Sequence, residues 1–402
     1  MSGILEGVRI VELAQWVFVP SAGALLADLG ADVIKVEHPR QGDPARGLRT
    51  MGLGGGPSGP NLAVEQNNRG KRSIGIDVKK KAGRELLLRL VAESDVFLTS
   101  LRPAAIERLS LGVDAVRKSN PQIIYARGHG LGMRGPGANR PSYDMSAFWS
   151  RGGVAHSLTP PDADRAVGQR PGFGDHTSAM NLAFGIAAAL FRRERRSEPS
   201  VVDVSLLGTA MWVMSSDVVY SANPQYDAHA GFKHPMANPL TATYRTADSR
   251  FLALVMLQAD RHWPDFCRHL GRPEWTDDPR YADTKARREN AEACSRDLSA
   301  VFATRTLAEW TEQLAGLDAA WEPQQSVREV REDPQAGANG YLTEIESGSN
   351  ERFEVVSNPC QFDERVPALS PAPEVGAHTE EVLLALGLDW QEISALRDDE
   401  VL

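Results

Sequence analysis

"VRIVELAQWVFVPSAGALLADLGADVIKVE", residues 8–37, decides the fold. Its first six residues (8–13) are apolar and β-branched enough for a buried strand. "PSAGALLADLG" (20–30) opens with proline and a small residue and closes on Gly30, the start and stop signals of a helix. "ADVIKVE" (31–37) is a second strand. Strand, helix and strand in so short a span form the parallel βαβ unit. The pattern recurs. "RSIGIDV", "DVFLTS" and "PQIIYARG" predict further strands. "KKAGRELLLRLVAES", "PAAIERLS" and "VDAVRKS" predict the helices between them. Alternating β and α segments predict an α/β fold with an open, mostly parallel, doubly wound sheet.

Beyond this, "PGFGDHTSAM" (171–180) leads into an apolar helix ending in "RRERR", with Asp175 at its start. Acid first and base last both suit the helix dipole. "SVVDVSLLGTAMWVMSSDVVYSA" predicts a strand running into another helix. The stretch 222–240 is rich in Pro, His, Asn and Gly without periodicity, and reads as a linker. "LTATYRTADSRFLALVML" predicts a hairpin turning at Ala247-Asp248-Ser249, and "GYLTEIESGSNERFEVVSNP" (340–359) a second hairpin. Two short helices around Gly387 end the chain.

Bulk properties exclude several classes. The 402 residues are 42% hydrophobic and 24% charged, which is ordinary globular composition. A net charge of −9 argues against nucleic acid or an anionic membrane as partner. Three widely spaced cysteines fit a reducing compartment, and neither Cys-x-x-Cys nor His-Glu-x-x-His is present, so no metal site is expected. The N-terminus lacks the apolar run of a signal or anchor, and a cytoplasmic protein is expected. "GGGPSG" (54–59) spells Gly-x-Gly-x-x-Gly, but Pro60 follows and no convincing strand precedes. It is therefore read as a glycine loop and not as a dinucleotide site.

Several segments occur together in a fixed order: "GVRIVELAQWVFVPSAGALLADLGADVIKVEHPRQGDPAR", "NNRGKRSIGIDVK", "GANRPSYDMSA", "PGFGDHTSAMNLAFGIAAALFRRERR" and "VVDVSLLGTA". In that order and spacing the chain resembles the family III CoA transferases (CaiB/BaiF), a family that includes the α-methylacyl-CoA racemases. The resemblance implies a large Rossmann-like domain (1–222, rejoined by 331–402), a smaller inserted α+β domain with its linkers (223–330), and an interlocked homodimer. It implies acyl-CoA and a carboxylic acid as substrates, with no permanently bound cofactor. At Asp175 it implies a nucleophile that forms first an acyl anhydride and then an aspartyl-CoA thioester. The local sequence alone reads Asp175 as a helix cap. Gly172 and Gly174 would let the backbone approach substrate, and helix-end N–H groups after Asp175 would serve an oxyanion.

For coenzyme A, the resemblance implies that Gln15, Trp16 and Val17 line the nucleotide and pantetheine path and that His38 stands where an arginine often contacts CoA. Lys71, Arg72 and Arg108 would hold phosphates, Leu101 would flank the adenine, and Arg140 and Tyr143 would lie near the pantetheine. His129, a lone histidine after a strand, is read as structural. Trp16, Phe18, Phe148, Trp149 and Trp212 could line an apolar acyl pocket. Two alternatives remain. A racemase needs a histidine–glutamate pair, but Tyr143 and Gln258 (with Asp260 nearby) stand at those positions, which argues for transfer. A CoA-binding protein without catalysis would not need Asp175. The flap that covers the intermediate in the formyl and oxalyl branch would correspond to "HPMANPLT" (234–241), whose two prolines make such substrates doubtful.

Overall fold

The structure, a computed structural model, describes residues 3–51, 59–227, 229, 236–347 and 350–402. The chain divides into one unit formed by Met1–Tyr226 with Gln335–Leu402 and another formed by Asp227–Pro334.

The first unit is built on six parallel strands: β1 (Arg9–Leu13), β2 (Asp32–Glu37), β3 (Arg72–Gly75), β4 (Val96–Thr99), β5 (Ile124–His129) and β6 (Val201–Ser205). Their order is β3-β2-β1-β4-β5-β6, the doubly wound order, with Val11 of β1 opposite Ile34 on one side and Phe97 on the other. Side chains alternate between faces. Ile10, Leu98 and Ala126 face a core shared with α1 (Phe18–Asp28) and the long helix from Phe173 to Arg196. Val11, Phe97 and Tyr125 face a second core with the helix Lys81–Ala92 and the C-terminal helices Thr379–Ala385 and Trp390–Asp398. Helices on both faces explain why the strands read as continuous apolar runs.

Helix α1 starts at Phe18, two residues before the expected Pro20. Proline fits there because N–H groups in a first helical turn have no partner within the helix. Unanticipated elements are α2 (Leu62–Asn68) and a π-helical turn, Met145–Ser150.

In the second unit, Thr243–Arg245 and Phe251–Leu254 pair antiparallel, and Trp321–Pro323 adds a third strand. Its core gathers Trp263, Phe266, Phe302 and Trp310. The hairpin turns at Ser249, which sits at φ +64°. The hairpin Leu342–Glu346/Arg352–Val356 belongs to the first unit. Most of the glycine loop at 54–59, and His234 and Pro235 of the expected flap, lie outside the described residues. No described helix is long and apolar enough to cross a membrane, and no described group of three His, Cys, Asp or Glu could hold a metal ion.

Candidate active site

In doubly wound sheets, ligands bind beyond the carboxyl ends of the strands where the order reverses. Here that point lies between β1 and β4, and the loops following the strands line two cavities. The larger, about 680 Å³, is lined by Gln15, His38, Leu101 and Arg108, together with Asp43, Lys79 and Arg84. The smaller, about 110 Å³, is lined by Gln15, Trp16, Phe18, Arg140, Tyr143 and Asp175, with Ser100, Arg102 and His129. Gln15 lines both.

Asp175 lies in the first turn of the helix Phe173–Arg196 but does not cap it. The N-cap position is Gly172, at φ +78°, and the capping is done by Asp144 from the start of the π-helical turn. The buried Asp144 carboxylate accepts the Gly174 N–H at 3.1 Å on each oxygen and the Gln169 amide at 2.6 Å. Gly174 is required here, because a Cβ would lie 2.2 Å from Asp144 Oδ1 and 2.3 Å from Phe148 Cγ. The glycine thus lets Asp144 and Phe148 approach the helix start. Asp175 is pushed up to about 7, first by burial and then by the negative charge of Asp144. No hydrogen bond opposes that rise. The expected oxyanion donors are taken: the His176 N–H donates to the Gly172 carbonyl at 2.8 Å.

The β1–α1 turn is held backbone group by backbone group. The Ala14 carbonyl accepts from Lys35 Nζ at 2.9 Å, the Gln15 N–H donates to Ser100 Oγ at 3.0 Å, and the Trp16 N–H donates to Asp43 Oδ1 at 3.0 Å. Trp16 occupies the left-handed region at φ +72°, uncommon for a bulky residue. Its ring meets Tyr143 edge-on at 5.6 Å. Beneath the turn lies a buried charge cluster. Lys35 Nζ is 3.1 Å from Glu12 and 2.9 Å from Asp43, and Lys71 Nζ is 2.8 Å from Glu12, with all four side chains at most 1% exposed. Burial disfavours both ammonium groups. Glu12 and Asp43 outweigh it at Lys35, whose pKa is raised, whereas Lys71 is pulled down to about 8.

This geometry corrects two expected phosphate ligands. Lys71 is enclosed, bonded also to the Pro20 and Asn67 carbonyls and to Asn68, and faces neither cavity. Arg72 opens β3 at the opposite edge of the sheet, where it forks onto Asp32 and pairs with Glu381. Val17 precedes α1 and lines neither cavity; its carbonyl accepts from Ser21. Phe148 and Trp149 are buried core residues, and Trp212 is 75% exposed on the helix Leu206–Val213, so none of the three lines the smaller cavity. Asp260 is engaged by Arg287. Gln15, Trp16, His38, Leu101, Arg108, Arg140, Tyr143 and Asp175 are brought to the two cavities. His129 joins them; burial, reinforced by the Arg127 charge, pushes it down to about 4, so the imidazole is neutral. Lys79 and Arg84 also line the larger cavity; the sequence singled out neither, since Arg84 lies in a stretch read only as a helix and Lys79 just before it. Asp43 and Asp144 became visible only through the backbone groups they hold.

Comparison with known proteins gives a consistent picture. A family model described as CoA-transferase family III matches residues 5–379. The chain is 32% identical to the (R)-2-hydroxy-4-methylpentanoate CoA-transferase of Clostridioides difficile, covering 99% of each chain. It is 30% identical to the cinnamoyl-CoA:phenyllactate CoA-transferase of Clostridium sporogenes, over 99% of this chain and 97% of the other. Among solved structures, a CaiB/BaiF family protein from Brucella suis superposes with a TM-score of 0.80 at 28% identity, over 96% of this chain and 100% of the other.

Proposed function

The chain belongs to the family III CoA-transferases, and on that premise we propose that it moves coenzyme A from an acyl-CoA to a free carboxylic acid by covalent catalysis on Asp175. The observation that carries this reading is a carboxylate with no hydrogen bond among the described residues in one cavity, and cations in a second cavity that shares Gln15 with the first. Asp175 lines the smaller cavity, Gln15 lines both, and Arg108 and Lys79 line the larger one without an ion-pair partner among the described residues. A nucleotide with its phosphates suits the larger cavity, and a thioester suits the smaller.

An Asp175 oxygen attacks the thioester carbonyl, the C–S bond breaks, and CoA leaves as thiolate from a mixed anhydride. The thiolate attacks the aspartyl carbonyl of that anhydride, releasing the first acid as carboxylate and leaving an aspartyl-CoA thioester. The incoming carboxylate attacks this thioester, forming a second anhydride and freeing the thiolate again. Attack of the thiolate on the new acyl carbonyl yields the new acyl-CoA and returns Asp175. Each step exchanges one activated acyl bond for another, so the thioester energy is retained. Arg140 and Tyr143, which line the same cavity as Asp175, would serve as donors to the oxyanion. The relatives named for 2-hydroxy-4-methylpentanoate and phenyllactate point to 2-hydroxy acids with branched or aromatic tails as the first acids to try.

A homodimer belongs to the same reading. Phe184 and Phe191 on the helix Phe173–Arg196, with Trp212, Val219 and Tyr220 nearby in sequence, are each at least 66% exposed. So much exposed aromatic and aliphatic surface suits a second copy of the chain.

The test is one incubation in D2O with an acyl-CoA and a carbon-13-labelled acid, read by mass spectrometry. Label is expected in the new thioester with wild type and not with Asp175→Ala. A single deuteron gained at the α-carbon without label exchange would overturn transfer in favour of racemisation.

A further inference from the structure

We infer that Asp43 is a positioning residue for acyl-CoA, fixing the strained Gln15–Trp16 backbone that lies between the two cavities. The inference rests on the reading that one acyl-CoA spans both.

Left-handed backbone at a bulky residue is strained and persists only where its surroundings over-determine it. The surroundings of Trp16 are Asp43 and what holds Asp43. One carboxylate oxygen of Asp43 accepts the Trp16 N–H at 3.0 Å and the Ala45 N–H at 2.9 Å. The other faces Lys35 Nζ at 2.9 Å. The Asp43 N–H donates to Glu37 at 2.8 Å, and Arg46 forks onto the same Glu37. Lys35 in turn holds the Ala14 carbonyl and Glu12. Asp43 therefore joins the turn to the charge cluster under it, and its own side chain is 1% exposed.

The position of the turn gives this anchoring a functional sense. Gln15 lines both cavities, and Trp16 and Tyr143 meet edge-on in the smaller one. Were Trp16 to relax to negative φ, its ring and the Gln15 side chain would swing away from their present places. An acyl-CoA would then have to restore the strained turn when it binds, and its affinity would fall. The thioester and Asp175 would be unchanged once it was bound.

The test compares wild type, Asp43→Ala and Asp43→Asn. In a crystal structure of Asp43→Ala, Trp16 is expected to leave the left-handed region. The KM for acyl-CoA, and the Kd of free CoA by calorimetry, should rise about ten-fold or more, as expected for a lost charge-assisted hydrogen bond. The kcat should change much less. Asp43→Asn keeps an acceptor oxygen for the Trp16 N–H and should recover most of the affinity. Trp16 remaining near its present φ in Asp43→Ala, or kcat falling while KM and Kd hold, would overturn the inference. If Asp43→Ala does not fold, Asp43→Asn decides: it must keep the turn and bind CoA within a few-fold of wild type. CoA binding and the crystal structure need no transfer activity, so a failure of the transferase reading would register separately, as wild-type protein that binds CoA without exchanging label.

Discussion

Two groups of enclosed charge lie at the same edge of the sheet, and they are built on opposite rules. Under the β1–α1 turn, Glu12, Lys35, Asp43 and Lys71 bring two negative and two positive charges into mutual contact, and every one is bonded. At the start of the helix Phe173–Arg196, Asp144 and Asp175 bring two negative charges together, and among the described residues only Asp144 is hydrogen-bonded. The first arrangement compensates its charge and shapes backbone. The second leaves charge uncompensated on one carboxylate, which is raised to about 7 and left open to a substrate. A paired buried charge resists change; an unpaired one stores reactivity.

Breaking the paired group should have the largest effect on stability. Lys71→Met leaves Glu12 with one cation instead of two and strands the polar groups around it. A loss of about 3–5 kcal/mol in denaturant unfolding is expected, the usual cost of removing one partner from a buried pair. The same change should leave the salt dependence of CoA binding unaltered. A reduced salt slope would mean that Lys71 reaches phosphate after all.

The unpaired group can be sharpened with a smaller change. Asp144→Asn keeps the acceptor for Gly174 and removes the charge. A nucleophile must be ionised, so transfer in wild type should fall as pH drops below about 7. In Asp144→Asn the acid limb of kcat/KM should move to lower pH. It should not reach the ordinary aspartate range, because burial is the larger cause of the shift and remains. An unmoved limb would separate Asp144 from the ionisation of Asp175.

The smallest effect is on thermal stability. Asp175 takes up its proton more readily folded than unfolded, so it favours the folded state most below about 4, and that benefit is lost as pH rises to about 7. Asp175→Asn removes the cost of the buried charge. Its melting temperature should exceed that of wild type by a few degrees at pH 8 and by less at pH 5. Equal gains at both pH values would show that Asp175 is not held as an uncompensated charge.

The contrast also marks what the sequence could disclose. β1, β2, β4 and β5 are short, mostly apolar runs, β3 and β6 are more mixed, and every predicted strand is present. Asp175 was legible as a helix-start carboxylate, though the local sequence favoured a cap and only the family resemblance pointed to a nucleophile. Asp144, thirty-one residues earlier, does the capping that Asp175 was expected to do. Lys71 in "NRGKRS" looked like a phosphate ligand because its partner, Glu12, lies fifty-nine residues away in another strand. Arg72 was misplaced for the same reason: direction along a strand decides which edge of the sheet a side chain reaches, and a motif does not show that direction. Long-range pairing of charge leaves no periodic trace, whereas burial of apolar faces does.

The free edge of β3 is closed by the end of the chain. His378 Nδ1 accepts the Ser73 N–H, Thr379 Oγ1 accepts the Gly75 N–H, and the Gly70 and Asp77 N–H groups donate to Ser370 and Val401. These partners leave a ribosome after all six strands of the sheet. During synthesis the sheet must wait, with β3 uncapped, while the 108 residues Asp227–Pro334 are made. The unit encoded in the middle has all its residues before the one encoded first, so the order of folding need not follow the order of translation. A chain that stalls before residue 370 exposes a bare strand edge, the kind of surface that recruits chaperones or pairs with another unfinished chain.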